Sequence, residues 1–271
     1  MRRRAPLLVA LLLPTLLAAQ TPSAAPAADG VLQQFIRFAD IFGGRLVAAF
    51  DSIPAGRYDF RPTPAQQSIG FIAQHLEDAN YALCERMGTH RYAATAKDSL
   101  ADSVKARWPK DTLVARLKAS LDFCDAALQD AGPVTTAARA STLLAFETDL
   151  AEHYSQLATY MRIIGLVPPS ALPPRPRTAI EMPAASLMPF AGTYQLAAGI
   201  ELEVTMRDGA LYIASNLGGA PARLWPESAR DFFLREVDAQ VTFVRDAGGT
   251  VTGLVLHQFG RDRSATRVRS R

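Results

Sequence analysis

Val167-Pro168-Pro169-Ser170-Ala171-Leu172-Pro173-Pro174-Arg175-Pro176-Arg177 divides the chain into two kinds of text. Proline fixes φ and carries no amide hydrogen, so neither a helix nor a central strand runs through such a stretch. Prolines stay frequent and large apolar residues scarce as far as Pro189. Residues 168–188 therefore read as an extended, semi-rigid linker. Before it, apolar residues recur every three or four positions; after it they fall in short, β-branched or aromatic runs. That change of period predicts an α+β multidomain chain, helical first and β second.

Working back from the linker, Gly165 serves as a C-cap for a helix from about Thr135 to Ile164. Gly132-Pro133 separates it from a helix that follows Asp111, read as an N-cap, and runs to about Gln129. A helix from about Gln67 to Met87 carries the seam Ile69, Ile72, Leu76 and Leu83, and one from about Val31 to Ser52 carries Phe35, Phe38, Phe42, Leu46 and Phe50. The three prolines of Ile53–Pro64 make that stretch a loop. The polar stretch Gly88–Lys110 has room for a short helix around Asp98–Ala106. Four long helices over residues 31–167 predict a four-helix bundle.

Working forward, residues 189–271 break into about eight short runs, beginning with Gly192–Leu196 and ending with Val251–Phe259 and Ala265–Arg269. Asp208-Gly209 and Asp246-Ala247-Gly248-Gly249 are turn signals between them. The expectation is a small antiparallel β-barrel or sandwich.

Residues 1–20 read as a signal peptide: Arg2, Arg3 and Arg4 precede an apolar run that ends in small residues. The Ala- and Pro-rich residues 21–30 read as disordered, and the protein is expected to be periplasmic or secreted, with no stable membrane insertion after cleavage. The whole chain has 29 Lys and Arg against 26 Asp and Glu. Losing the three leader arginines leaves 26 against 26. A balance this even excludes an electrostatic footprint for nucleic acid. Arg261, Arg263, Arg267, Arg269 and Arg271 are expected at a solvated strand end and frayed tail. A small-molecule ligand and a homodimer remain open as partners. Cys84 and Cys124 are the chain's two cysteines. In an oxidising compartment an even count favours a disulfide over two buried thiols.

His75 and His153 flank the seams of two predicted bundle helices. Asp149 lies four residues before His153, on the same helix face. Two ligands so spaced, with a third from a facing helix, suit a metal site with open positions. Each residue also has a plainer reading, as a hydrogen-bonded packing histidine or a surface acid. His90 is expected to be exposed and His257 to pack across strands. Glu77 and Glu152 are candidate bases or solvent-facing acids.

Pro62-Thr63-Pro64 with Phe71-Ile72-Ala73-Gln74-His75-Leu76-Glu77-Asp78-Ala79-Asn80-Tyr81 resembles the first ligand helix of the DinB-like family. His153-Tyr154-Ser155-Gln156-Leu157, Tyr160-Met161-Arg162, Gly165 and Val167-Pro168-Pro169 resemble its second ligand helix and exit. Cys84 and Phe123-Cys124-Asp125 resemble an exported branch. The resemblance implies a bundle that binds one divalent ion, commonly through three histidines. His75 and His153 match two of them, while Asp149 stands where the third is expected. A carboxylate remains a competent ligand for Zn, Ni, Mn or Fe. Gly192-Thr193-Tyr194, Leu224-Trp225-Pro226, Phe232-Phe233 and Val241-Thr242-Phe243 resemble the small β domain behind β-lactamase-type serine hydrolases. Ser-x-x-Lys, Gly-x-Ser-x-Gly and His-Glu-x-x-His are all absent. Trp225, Phe232 and Phe233 suit either a ligand pocket or a core. Two functions follow: a metal-dependent hydrolase or transferase, or a non-catalytic envelope module with a degenerate metal site.

Overall fold

The protein is described by a computed structural model covering residues 30–173, 175–197 and 199–268. The expected signal peptide, the segment 21–29, Arg269 and Arg271 lie outside the described residues. The helical half comprises α1 (Gly30–Ser52), α2 (Ile69–Cys84), α3 (Asp102–Lys105), α4 (Lys110–Gln129) and α5 (Ala137–Ile163), and α6 (Ala184–Leu187) follows among the prolines. The described residues thus hold six α-helices, against an expected four. Beyond the four long helices, α3 lies inside the stretch Asp98–Ala106 where a short helix had room, whereas α6 was not expected, being only four residues and too short to leave a periodic signature.

The long helices pack α1 and α2 each against α4 and α5. Leu46, Phe50, Ile72, Leu76, Leu117 and Leu150 are fully or almost fully buried between them. The buried stripe of α1 runs through Leu32, Ile36, Gly43 and Leu46, so the expected seam residue Phe38 is exposed and Phe35 and Phe42 are only partly covered. Ser68 caps α2, its hydroxyl accepting from the Phe71 amide at 3.2 Å. Thr136 caps α5 in the same way through the Arg139 amide at 3.3 Å. Pro109, not Asp111, is the residue before α4; Asp111 sits in the first turn, where a carboxylate complements the helix dipole. Cys84 and Cys124 form a disulfide that ties the end of α2 to α4. It closes a 40-residue separation. A loop of that size is worth about 4 kcal/mol in the chain-entropy picture.

The second half is a closed antiparallel barrel in which each strand pairs with the next and the last returns to the first. Its strands are β1 (Gly192–Ala197), β2 (Ile200–Arg207), β3 (Ala210–Ser215), β4 (Ala222–Pro226), β5 (Asp231–Phe233), β6 (Ala239–Arg245), β7 (Val251–Gln258) and β8 (Arg261–Arg267). Closure removes the free edges that an open sheet would expose. Aromatic rings fill the interior: Phe190 stands 4.5 Å from Phe243 and 5.3 Å from Phe232, centroid to centroid. Phe232 therefore belongs to the barrel core, and Phe233 is buried beside it in sequence. Trp225 lies instead between two guanidinium groups, those of Arg223 and Arg235, each 3.8 Å from its ring.

The proline segment is attached to the barrel before its first strand. The Ile180 amide donates to the Pro226 carbonyl at 2.8 Å, Arg177 pairs with Glu227 at 2.5 Å, and Leu187 and Phe190 enter the barrel core.

One tight turn decides how the halves meet. Phe259-Gly260 links β7 to β8 with φ of 55° and 75°, the conformation of a two-residue hairpin turn. Phenylalanine rarely adopts it, so the sequence carries no signal of this turn, and β8 starts at Arg261 where Ala265 was expected. The turn lies on Gly44 of α1: a Cβ there would stand 1.9 Å from the Phe259 carbonyl oxygen. Beyond it, Arg263 donates to both carboxylate oxygens of Asp40 at 2.7–3.0 Å and to Asp125 at 2.8 Å. Arg261 reaches Asp122 at 3.2 Å. Arg267 donates to the carbonyls of Pro189 and Ala191. These three arginines are thus not a solvated strand end. The expectation failed because their partners lie far away in sequence.

Glu147 of α5 lies near this junction. Both its carboxylate oxygens are buried and no side chain among the described residues pairs with them. Burial, with the Asp40 charge adding, pushes its carboxyl up to about 8. An unfolded chain releases that proton near the ordinary glutamate value, so folding opposes ionisation and stability falls as pH rises toward 8. A Glu147→Gln variant is expected to flatten this decline, read as melting temperature between about pH 5 and pH 9.

Candidate metal centre

His75 projects from the middle of α2, while Asp149 and His153 are one helical turn apart on α5. Packing of α2 on α5 brings the three together, with one ligand atom of each inside a 4.8 Å span. Asp149 Oδ1 is 3.5 Å from His75 Nε2 and 3.3 Å from His153 Nδ1. The two imidazole centroids are 4.8 Å apart. His153 Nδ1 donates to the Asp149 backbone carbonyl at 2.8 Å. A carbonyl can only accept, so the proton sits on Nδ1 and the Nε2 lone pair is left available. His75 is the most open of the three, its side chain 39% exposed against 12% for His153 and 19% for Asp149. Phe71, one turn earlier on α2, stacks nearly parallel to the His75 ring.

The electrostatics suit a cation. Burial works to raise the Asp149 carboxyl, but the two histidines outweigh it and hold it down at about 2. Burial works to lower His153, and hydrogen bonding to Asp149 overcomes it and raises it above the ordinary imidazole value. Asp149 Oδ2 is buried and has no hydrogen-bond partner among the described residues. An anionic oxygen in that condition is costly unless a positive charge meets it. Two imidazoles and one carboxylate are a donor set for a borderline divalent ion.

The other candidates lie elsewhere. Glu77 is almost fully buried and bound to Arg116, which also binds Asp98 and stacks 4.9 Å over Trp108. It is neither a solvent-facing acid nor a free base, because it neutralises a guanidinium between α2 and α4. Glu152 is exposed. His90 is half-buried rather than fully exposed, 3.5 Å from Asp130 and edge-on to Phe123. His257 bridges strands as expected, bonded to Asp262 at 2.6 Å and to Thr242 at 3.0 Å. Sequence reasoning missed the stacking of Phe71 and the tautomer-setting carbonyl of Asp149. The aromatic i, i+4 spacing before His75 was the one signal available for the first.

The model of the DinB superfamily matches residues 42–157, which span both ligand-bearing helices. The helical half is a DinB superfamily domain. Membership agrees with a metal-binding helical domain and with the clustered His75, Asp149 and His153 of the DinB-like half. Residues 176–268, from the proline segment through β8, match a domain of unknown function, DUF3471. No curated protein matches the chain. Among solved structures, SurE matches at 25% identity and a TM-score of 0.30, over 45% of this chain and 27% of that one. SurE with D-Leu matches at 26% identity and a TM-score of 0.29, over 45% and 28%. The match thus spans less than a third of either solved chain.

Proposed function

We propose that this protein is exported, that its long helices act as a four-helix bundle, and that the bundle holds one divalent ion through His75, Asp149 and His153. The observation that carries this reading is the convergence of the three side chains, with the second Asp149 oxygen, Oδ2, buried and without a hydrogen-bond partner among the described residues. Three protein ligands leave coordination positions for water or substrate, the arrangement of a reactive rather than a structural site. When bound, the ion would supply Lewis acidity and a more acidic water. The chain's own residues do the rest. The Asp149 carbonyl fixes the His153 tautomer, Phe71 backs the His75 ring, and the exposed edge of His75 marks the side from which a small molecule enters. These features support a metal-dependent hydrolase or transferase that takes a small-molecule substrate.

Export is supported by the leader-like residues 1–20 and by the Cys84–Cys124 disulfide, which persists in oxidising compartments. Among the described residues no helix is long and apolar enough to cross a membrane. The division we propose is a leader over 1–20, a bundle over 31–167 and a β domain from 189, with 168–188 between them.

A second reading, a non-catalytic envelope module, draws on the same ion pairs: Asp149 already satisfies two imidazoles without a metal. Elemental analysis of the full chain, purified and then loaded separately with Zn, Ni, Mn and Fe, separates the two. About one equivalent of one metal supports the metal centre. No retained metal under any of the four loadings overturns it in favour of the module.

A further inference from the structure

A cavity of about 270 Å³ opens where the proline segment crosses the barrel beside the β7–β8 turn. Arg175 and Arg177 line it from the proline segment, His257 from β7 and Arg261 from β8, with Asp238 and Asp262 as its acids. Both acids already have partners. Asp262 accepts from His257 at 2.6 Å, and Asp238 accepts from the Gln240 amide at 3.0 Å. The cations are less complete. Arg177 gives one terminal nitrogen to Glu227, yet its Nε is buried and has no hydrogen-bond partner among the described residues. Arg175 is exposed and has no ion-pair partner among the described residues. The surplus in this cavity is therefore of donors. A guanidinium with an unused face is a planar fork for a carboxylate or phosphate.

Arg261, which lines this cavity, also reaches Asp122 of α4 across the junction of the two halves. The cavity's own walls come from the proline segment and the barrel, and Arg261 is its link to the helical half.

We propose that this cavity is a binding site for a small oxyanion, a carboxylate- or phosphate-bearing molecule gripped by Arg175 and the free Nε edge of Arg177. His257 also lines the cavity, fixed by Asp262 on one nitrogen and Thr242 on the other. The site is separate from the metal centre and does not rest on that reading.

Titration calorimetry on the full chain at low salt tests it, with succinate and inorganic phosphate as probes. The background is His153→Ala, which removes any contribution of a bound metal. Saturable one-site binding of at least one probe is expected, and the probe that binds tells carboxylate from phosphate. Arg175→Ala, at an exposed position with no fold partner to lose, should weaken binding at least tenfold. Arg177→Lys keeps the charge facing Glu227 but removes the Nε donor, and should weaken it by a similar factor. Melting temperatures of both variants check that the fold is kept. The proposal is overturned if neither anion binds below about 10 mM, or if either arginine variant, folded, binds within twofold of the parent.

Discussion

An Asp149→Ala variant is expected to lose divalent-metal affinity by about 100-fold or more while its fold survives, read by competition with a chromogenic chelator. The loss exceeds that of an outer-shell change because the carboxylate is the only anionic ligand of the three. The pH dependence should move with it. Metal must displace the proton that Asp149 helps His153 to hold, so wild-type affinity climbs as pH rises through the raised His153 value. Without the carboxylate that climb should begin at lower pH. Metal-free stability has its own sign. The Asp149 carboxyl, held at about 2, stabilises the fold above the ordinary aspartate range, and that contribution disappears as pH falls. The raised His153 stabilises below the ordinary imidazole value, and its contribution is lost as pH rises through the folded value. The metal-free wild type should therefore hold its largest advantage over Asp149→Ala between about pH 4 and pH 6.5. Melting curves across that window that run parallel for the two proteins would remove the ionic pairing from the account.

The second large effect lies at the junction. Gly44→Leu places a branched side chain where the Phe259 carbonyl already leaves no room for a Cβ. The turn cannot yield easily, since both its residues are in positive-φ conformations. The barrel should leave α1 as a unit, seen as a larger radius of gyration by small-angle scattering and as two thermal transitions in place of one. Arg263→Ala should act in the same direction by leaving Asp40, a carboxylate that burial already tends to protonate, with only the longer 3.4 Å contact to Arg261 among its barrel partners. Removing one partner of a largely buried pair costs about 3 kcal/mol. Metal binding should persist in both variants, because His75, Asp149 and His153 all belong to the helical half. Unchanged scattering for Gly44→Leu would mean that the close approach at the turn does not hold the halves together.

How much of this was readable beforehand differs from element to element. The long helices and most strands leave a period in the sequence, and a run such as Ile200–Arg207 can be bounded to the residue because Asp208-Gly209 is the turn its geometry requires. The β7–β8 turn carries no such mark, since phenylalanine in a positive-φ position is disfavoured and is tolerated here where tertiary contacts hold it. His75, Asp149 and His153 could be singled out by spacing. Their convergence could not, because periodicity fixes which face of a helix is apolar but not how far two helices slide along each other. The resemblance to a known family supplied that register. Arg263 and Asp40 are paired across 223 positions, and Glu77 meets Arg116 across 39. Charges of this kind read as solvent-facing until the fold places them.

The junction has one further property: in the ion pairs that cross it among the described residues, the acid comes from the helices and the base from the barrel. Each half thus presents one sign of charge, as two separate proteins would if they had been selected to find each other. The peptide connection is then a tether that raises local concentration rather than the source of the geometry. A chain nicked by a protease between Leu172 and Arg175 should migrate as one species in dilute buffer and as two in concentrated salt.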